Sequence, residues 1–465
     1  MSKLLQIIET KKDSVLPFQQ KPAVAFTDDS SEIEMYLLIN YPAIQYQEIK
    51  GFGGAFTQAS AHNYYAMNET NRAKILAAYF SVEGLNYSVG RTHIGSCDFS
   101  FGNHNYAAEF DPQLANFSID CDRDLLLPFI KECLNYRAQK MTLMASPWSP
   151  PAWMKTNNHL LQGGKLKPEF YASYADYFIK YLEAYQAEGI TIDLISVQNE
   201  PKAVQKWESC IYTAEDEKIF IRDYLYPALL KAGLSSAKIV IWDHNKERAF
   251  ERAAHILADP RANLAVYGIG VHWYSGDHFD NLRLCKEFFP DKELIFTEGC
   301  VELSLGAPTN AGGNEQVVVS QSPWEFGEKY AYDMIGNINA GLSTYIDWNL
   351  LLDDKGGPNH VGNFCSAPII CDAANQKIIF QPSYYFIGHF SKFVPVGSRR
   401  IAHSSYTGKL ATVSFLTPAG KVVTVILNST EQDILVNYKD MHSSKIASVT
   451  ISAKSITTLI YELDD

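Results

Sequence analysis

Two short segments hold the residues best suited to chemistry: Val197-Gln198-Asn199-Glu200-Pro201 and Ile295-Phe296-Thr297-Glu298-Gly299. Each sets a glutamate directly after a run of apolar, strand-forming residues. Two carboxyls at the ends of two buried strands can work on one substrate. A proton donor beside a nucleophilic carboxylate breaks a glycosidic bond with retention of configuration when the two lie about 5–5.5 Å apart. In this reading Glu298 attacks the anomeric carbon, and Glu200 protonates the leaving oxygen and then activates water. Asn199 is placed to bond the sugar 2-hydroxyl, and Arg91 to hold Glu298 ionised. The charge of Glu298 is expected to keep Glu200 protonated until the sugar ester forms.

The elements that must position these residues alternate between strand and helix. Strand-like runs fall at Gly51–Phe56, Tyr87–Ile94, Met141–Ala145, Ile192–Val197, Ile239–Trp242, Tyr267–His272, Leu294–Thr297 and Ser343–Asp347. Helical stretches between them include Asn71–Phe80, Arg123–Ala138, Tyr171–Ala187, Asp216–Lys231, Arg248–Leu257 and Glu325–Asn339. Eight such alternations predict a (β/α)8 barrel, with the working face at the carboxyl ends of the strands. Residues near the end of each strand or just past it are Arg91, Cys97 and Asp98; Ser146 to Trp153, with Trp148; Asn199 and Glu200; His272, Trp273 and Tyr274; Glu298; and Asp347, Trp348 and Asn349. Sugar sites need this mixture of planar polar groups and flat apolar rings.

Several of these positions have an ordinary alternative. Trp148 and Trp348 can be barrel core, His272 a satisfied core histidine, and Asp347 a local cap or pairing partner. Gly53-Gly54 lacks the spacing of a nucleotide loop and is expected to serve tight packing in the first strand. Val- and Thr-rich runs at Leu410–Leu416, Val422–Leu427, Asp433–Val436 and Ser448–Ser452, with Ala23–Thr27 and Met35–Ile39 near the start, predict a β-sandwich built from both termini. The expected division is residues 1–45 and 394–465 for the sandwich and 46–393 for the barrel.

Bulk composition narrows the function classes. A chain of 465 residues with 46% hydrophobic and 20% charged residues is globular and long enough for a barrel plus a smaller domain. A net charge of −12 without a basic cluster argues against nucleic acid as a partner. No apolar run approaches the roughly 20 residues of a membrane helix. The apolar N-terminal stretch is too short for a secretory signal and is broken by Gln6 and Glu9, which leaves cytoplasmic residence, earlier removal of a leader, or a leaderless route. The 8 cysteines are dispersed and are expected to be free thiols. There is no HExxH, no metal-ligand histidine spacing and no GxSxG, which argues against metalloprotease and serine-hydrolase chemistry.

The chain resembles glycoside hydrolase family 30, in particular its glucosylceramidase group. The resemblance runs from about Gly51 to Phe393 through Lys50–Thr57, Ser96–Ser100, Ala145–Pro150, Trp153–Asn157, Asn199–Pro201, Val271–Tyr274, Thr297-Glu298 and Asp347–Leu350. It continues through Gly356–Asn359, Asn363-Phe364, Ser366–Ile369 and Gly388–Phe393. It implies a (β/α)8 barrel with a two-ended sandwich and retaining hydrolysis of β-glucosides such as glucosylceramide, a glycolipid presented at a membrane surface, with no metal or organic cofactor. It implies Glu200 as acid/base, Glu298 as nucleophile, Asp98, Trp148, Asn199, Trp348 and Asn363 as glucose contacts, and Arg91, His272 and Tyr274 as support. The chain departs from the family's motif at Thr297, where a small residue is common, and from the animal enzymes at Gly299, at His360, where they have Trp, and in having no N-terminal disulfides or signal peptide. These departures suit a bacterial relative. The alternatives are a β-1,6-glucanase or β-xylosidase with the same chemistry, or a carbohydrate-binding protein that has lost catalysis.

Overall fold

The computed structural model describes residues 3–14, 16–29, 37–137, 139–303 and 322–463. Eight parallel strands form a closed barrel in chain order: Gly51–Phe56, Val89–Ile94, Thr142–Pro147, Leu194–Ser196, Lys238–Asn245, Val266–His272, Glu293–Glu298 and Thr344–Asp347. All eight expected strands are present, with ends shifted by a few residues. The first four are buried along nearly their whole length because the barrel interior lies on one side and helices on the other. That two-sided burial explains why they read as continuous apolar runs. The interior is plugged by Val89, Met144, Leu194, Val240, Ile295 and Ile346, one layer deep beneath the carboxyl ends.

The outer helices follow from their apolar stripes. Tyr171–Ala187 buries Tyr174, Tyr177, Phe178, Tyr181 and Tyr185 at helical spacing. Pro323–Asn339 begins with a capping box in which Ser322 and Glu325 bond each other's backbone N–H. Two expectations need correction. The single helix expected over Asp216–Lys231 is α at Ala214–Phe220, π at Ile221–Leu225 and α again at Tyr226–Lys231. Pro227 has no N–H to give and its ring crowds the preceding turn, so the helix widens there. The long stretch at Arg123–Ala138 is interrupted at Asp124-Leu125, with helices at Asp120–Arg123 and Leu126–Tyr136; Ala138 lies outside the described residues. Helix Gln58–Tyr65 escaped the sequence reading because it is short and its polar residues Gln58, Ser60 and Asn63 are buried along with Ala59, Ala61 and Tyr64, so no apolar stripe separates a buried face.

The sandwich is a 10-stranded sheet drawn from both ends of the chain. Strand Leu4–Lys11 pairs antiparallel with the last strand, Ser455–Glu462, through Gln6↔Ile460 to Lys11↔Ser455. Leu37–Glu48 pairs with Arg399–Ser405; the expected start of that run at Met35 lies outside the described residues. Leu5, Ile7, Leu38, Val422, Ile426, Val436 and Leu459 share one apolar core. His389, on helix Pro382–Ser391, locks sandwich to barrel. Its Nδ1 lies 2.7 Å from Thr458 Oγ1 and its Nε2 2.9 Å from Thr10 Oγ1. Burial pushes this imidazole down to about 3, so it joins the two parts as a neutral group. All eight cysteines are free thiols, seven of them buried.

The first strand shows how closely the barrel is drawn together. A Cβ on Gly53 would lie 1.7 Å from the Val89 carbonyl oxygen, and one on Gly54 2.7 Å from Leu350 Cδ2. The first clash is with backbone of the neighbouring strand, which cannot move without opening the barrel. Gly53→Ala is therefore expected to destabilise the protein by about 3 kcal/mol or more, measured by denaturant unfolding. A change below about 1 kcal/mol would contradict this packing.

Candidate active site

The site is the layer directly above the apolar plug. Side chains on a strand return to the same face every second residue. Val89 in the plug therefore leads to Arg91, Met144 to Ser146, Leu194 to Ser196 and Ile346 to Trp348. Two strands break the period. Between the fifth and sixth strands the register slips so that Gly270 faces Trp242 but Val271 faces His244, leaving Asp243 as the extra residue. Between the sixth and seventh, Val271 faces Phe296 but His272 faces Glu298, leaving Thr297 extra. Such bulges re-aim side chains, and these two bring Asp243 and Glu298 inward. The first has a conformational cost, since Trp242 and Asp243 have φ of 72° and 49°. The Trp242 N–H donates to Glu217 Oε1 (2.9 Å), and Glu217 is itself ion-paired with buried Arg252.

Arg91 is completely buried and organises the layer. Its Nη1 donates to Glu298 Oε2 (2.6 Å), its Nη2 to Asn199 Oδ1 (2.8 Å) and Asp243 Oδ2 (3.0 Å), and its Nε to Ser146 Oγ (3.2 Å). Burial would lower the guanidinium, but Asp243 and Glu298 outweigh it and raise it. Its flat face lies over Trp148 and Trp348, 4.9 and 5.4 Å from their ring centres, and these indoles stack on each other at 5.2 Å. A guanidinium only donates. It therefore fixes the Asn199 amide with oxygen inward and leaves the NH2 available to a ligand.

Asp243 is the second anchor. Its Oδ2 also accepts from Ser146 Oγ (2.8 Å) and Ser196 Oγ (2.6 Å), and its Oδ1 lies 3.0 Å from His272 Nε2. Burial would raise this carboxyl; Arg91 and His272 outweigh it and hold it far below the usual range. His272 Nδ1 lies 3.2 Å from Glu200 Oε1 and 4.0 Å from Glu298 Oε1. One imidazole nitrogen thus stands between the two glutamates. Tyr274 donates from its hydroxyl to Glu298 Oε1 (3.0 Å). His244 Nδ1 lies 3.4 Å from Glu200 Oε1.

Protonation in this free site differs from the sequence expectation. Burial alone would raise Glu200, but the imidazoles of His244 and His272 outweigh burial and hold its carboxyl well below the usual range. Burial alone would lower His272; the charge of Glu298 and the bonds to Asp243 and Glu200 push it up to about 9. The shared proton rests on His272, not on Glu200. The sequence reading weighed only the neighbouring glutamate and not the histidines in contact with it.

Asp98 lies at the rim between the loops after the second and eighth strands. It accepts from Asn363 Nδ2 (3.1 Å) and Asn359 Nδ2 (3.4 Å), while Phe99 meets Trp348 edge-on at 6.1 Å. Burial, then the charge of Glu298, pushes Asp98 up to about 8 against the pull of the Asn363 amide. His360 Nδ1 lies 3.0 and 2.9 Å from the Asp98 and Ser100 carbonyl oxygens and ties the rim loops together. Asp347 faces away from the catalytic layer, accepting from Tyr330 OH, with burial pushing it up to about 8. The structure thus joins Arg91, Asn199, Glu200, His272, Tyr274 and Glu298 by direct contacts, adds Trp148 and Trp348 as rings against Arg91, and sets Asp98 with Asn363 beside them.

Sequence reasoning missed Asp243 and His244. The barrel rule points to residues just past every strand, and Asp243-His244-Asn245 follow the predicted fifth strand directly. Ser146 was placed on the working face by the same rule, whereas Ser196 lies inside the predicted fourth strand and carried no signal beyond its inward parity.

Comparison with known proteins adds a family. Residues 49–394 match the model of the glycosyl hydrolase family 30 TIM-barrel domain, and residues 397–459 that of the family's beta sandwich domain. Lysosomal acid glucosylceramidase of Mus musculus is 35% identical over 422 residues, covering 87% of this chain and 79% of its own. Among solved structures, SrfJ from Salmonella typhimurium is 38% identical with a TM-score of 0.92, covering 99% of this chain and 100% of its own. The endo-beta1,6-glucanase BT3312 is 28% identical with a TM-score of 0.84 at the same coverage.

The shifts set a stability profile. His272, raised to about 9, and Asp98, raised to about 8, hold protons more tightly when folded. Their stabilisation is present below the unfolded values of about 6.5 and 3.9 and is lost as pH rises through the folded ones. Asp243 and Glu200 are depressed, so their stabilisation is lost as pH falls below about 4. The melting temperature is expected to fall on either side of a mildly acidic maximum, with His272→Asn flattening the alkaline limb. A wild-type profile level from about pH 6.5 to 9 would refute the His272 assignment.

Proposed function

Since this chain belongs to glycoside hydrolase family 30 and is a glycoside hydrolase, we propose that it is a retaining β-glucosidase acting on glucosylceramide or a related β-glucoside. The observation that carries the mechanism is the placement of both carboxyls around His272 Nδ1, 3.2 and 4.0 Å away. The two Oε1 atoms therefore lie no farther apart than those distances together, a bound that admits the roughly 5–5.5 Å spacing of a retaining pair.

Glu298 is held by donors on both oxygens, Arg91 and Tyr274, and so presents an oriented carboxylate. It attacks the anomeric carbon as the glycosidic C–O bond breaks, and the leaving oxygen takes a proton from Glu200. His272 supplies that proton across its 3.2 Å contact with Glu200 Oε1. Glu200, now ionised, then takes a proton from water. The water oxygen attacks the same carbon, and the ester to Glu298 breaks. The Asn199 NH2, freed by the bond of its oxygen to Arg91, bonds the 2-hydroxyl and tightens as the transition state forms. Asp98 and Asn363 serve sugar hydroxyls, and the indoles of Trp148 and Trp348 wall the ring.

Glucosylceramide is favoured by the 35% identity to the mouse enzyme and by apolar Phe101 and Val204, 50% and 43% exposed in the loops after the second and fourth strands. These offer a surface to an apolar aglycone. The second reading, an endo-β-1,6-glucanase, is favoured by the likeness to BT3312 across the whole chain. No described helix is long and apolar enough to cross a membrane.

Hydrolysis of aryl β-glucoside, aryl β-xyloside, β-1,6-glucan and glucosylceramide separates the readings. Glucosylceramide and the aryl glucoside are expected to turn over fastest, and a preference for β-1,6-glucan would select the second reading. Glu298→Gln should lower kcat by at least about a thousandfold, and the first-formed sugar should be the β-anomer by NMR. Formation of the α-anomer first would sink the retaining mechanism. Asp243→Asn keeps the shape but removes the charge facing both Arg91 and His272. It is expected to cost at least about a hundredfold in kcat/KM and to shift the alkaline limb of the pH profile downward, since the His272 proton loses an anchor.

A further inference from the structure

His244 has no part in the mechanism above, yet its imidazole is nine-tenths buried and its Nδ1 makes no hydrogen bond. That nitrogen sits 3.4 Å from Glu200 Oε1, close enough to touch but not aligned as a donor. On the other side, His272 Nδ1 lies 3.2 Å from the same oxygen. One donor atom from each of Glu200, His244 and His272 lies within 4.8 Å of the others. In a tetrahedral site with bonds of about 2.0–2.1 Å, neighbouring ligand atoms are roughly 3.3–3.4 Å apart. Both spacings around Glu200 Oε1 are close to that value.

The surroundings of His272 fit a ligand as well as a proton carrier. Its far nitrogen, Nε2, is bonded to Asp243 Oδ1 at 3.0 Å, and Asp243 is itself fixed by Arg91, Ser146 and Ser196. A carboxylate on the far nitrogen is the usual support of a metal-bound imidazole, fixing its orientation and raising its basicity. Two imidazoles and one carboxylate select borderline ions of the zinc and copper type, whereas calcium and magnesium need all-oxygen shells.

We propose that Glu200, His244 and His272 form a binding site for a divalent cation of the zinc type, and that its occupancy stops hydrolysis. The ion would take the Glu200 oxygen and the His272 nitrogen that otherwise pass the proton. This inhibitory consequence rests on Glu200 being the acid/base, whereas the site itself rests on the geometry alone.

The test titrates the chelator-treated full-length chain with zinc chloride by calorimetry, with calcium chloride as control. It also records the electron paramagnetic resonance spectrum of added copper(II). One zinc per chain, no calcium response and a copper signal split by imidazole nitrogen are expected. Hydrolysis should fall in step with zinc uptake and return with EDTA. His244→Phe and His244→Asn, each checked for a wild-type unfolding transition, should weaken zinc binding at least tenfold. Unchanged zinc affinity in both variants, or no uptake by the wild type at millimolar zinc, overturns the site. Zinc uptake that depends on His244 while hydrolysis continues overturns the inhibition and with it the acid/base role of Glu200. Loss of activity in Glu200→Gln without zinc uptake by the wild type overturns the site and leaves the proposed function standing.

Discussion

Everything in the candidate active-site layer depends on one buried cation. Arg91 has no access to water, and removing a guanidinium from solvent is tolerable only when its donors are met by well-placed oxygens. Here the oxygens come from four other strands or their ends: Ser146, Asn199, Asp243 and Glu298. Deleting a partner of a buried pair generally costs about 3–5 kcal/mol, because the remaining charge is stranded. The same cation holds Glu298, orients Asn199 and faces the two indoles. Stability of the barrel mouth and geometry of the site are thus one constraint.

That constraint explains the irregular backbone around it. Trp242, Asp243 and Glu200 all adopt left-handed φ, each at an expected cost of about 1 kcal/mol or more. A regular fifth strand would turn Asp243 away from the axis and leave Arg91 and His272 facing a carboxylate too few. Glu200 also donates its backbone N–H to the Asp243 carbonyl at 2.9 Å, so the two left-handed turns brace each other. The rest of the fold keeps these deviations in place. The parallel barrel is drawn tight at Gly53, and the sandwich ties the first and last strands to helix Pro382–Ser391 through His389.

Much of the architecture was legible because barrel strands are buried on both faces and read as plain apolar runs, while several surface helices keep a stripe. What was not legible has specific causes. The short helix Gln58–Tyr65 buries polar and apolar residues together and so has no apolar stripe to set a period. The break at Asp124-Leu125 and the π turn before Pro227 are too local for a periodicity reading. In the site, Asn-Glu-Pro and Thr-Glu after apolar runs were visible, as were the aromatic and amide residues past other strands. Asp243 and His244 were not, since the predicted fifth strand ended at Trp242 and nothing local marked a bulge.

The sequence by itself determined the list of candidate reacting groups and the barrel that gathers them, because residue type and apolar periodicity are local properties. It placed Glu200 and Glu298 after the fourth and seventh strands and Arg91 within the second. Only the tertiary structure decided their ionisation. Weighed against Glu298 alone, Glu200 is expected to be protonated. Two histidines from the fifth and sixth strands reverse that, and the proton rests on His272. A buried charge is set by every group within a few ångströms, and those groups come from strands far apart in the chain.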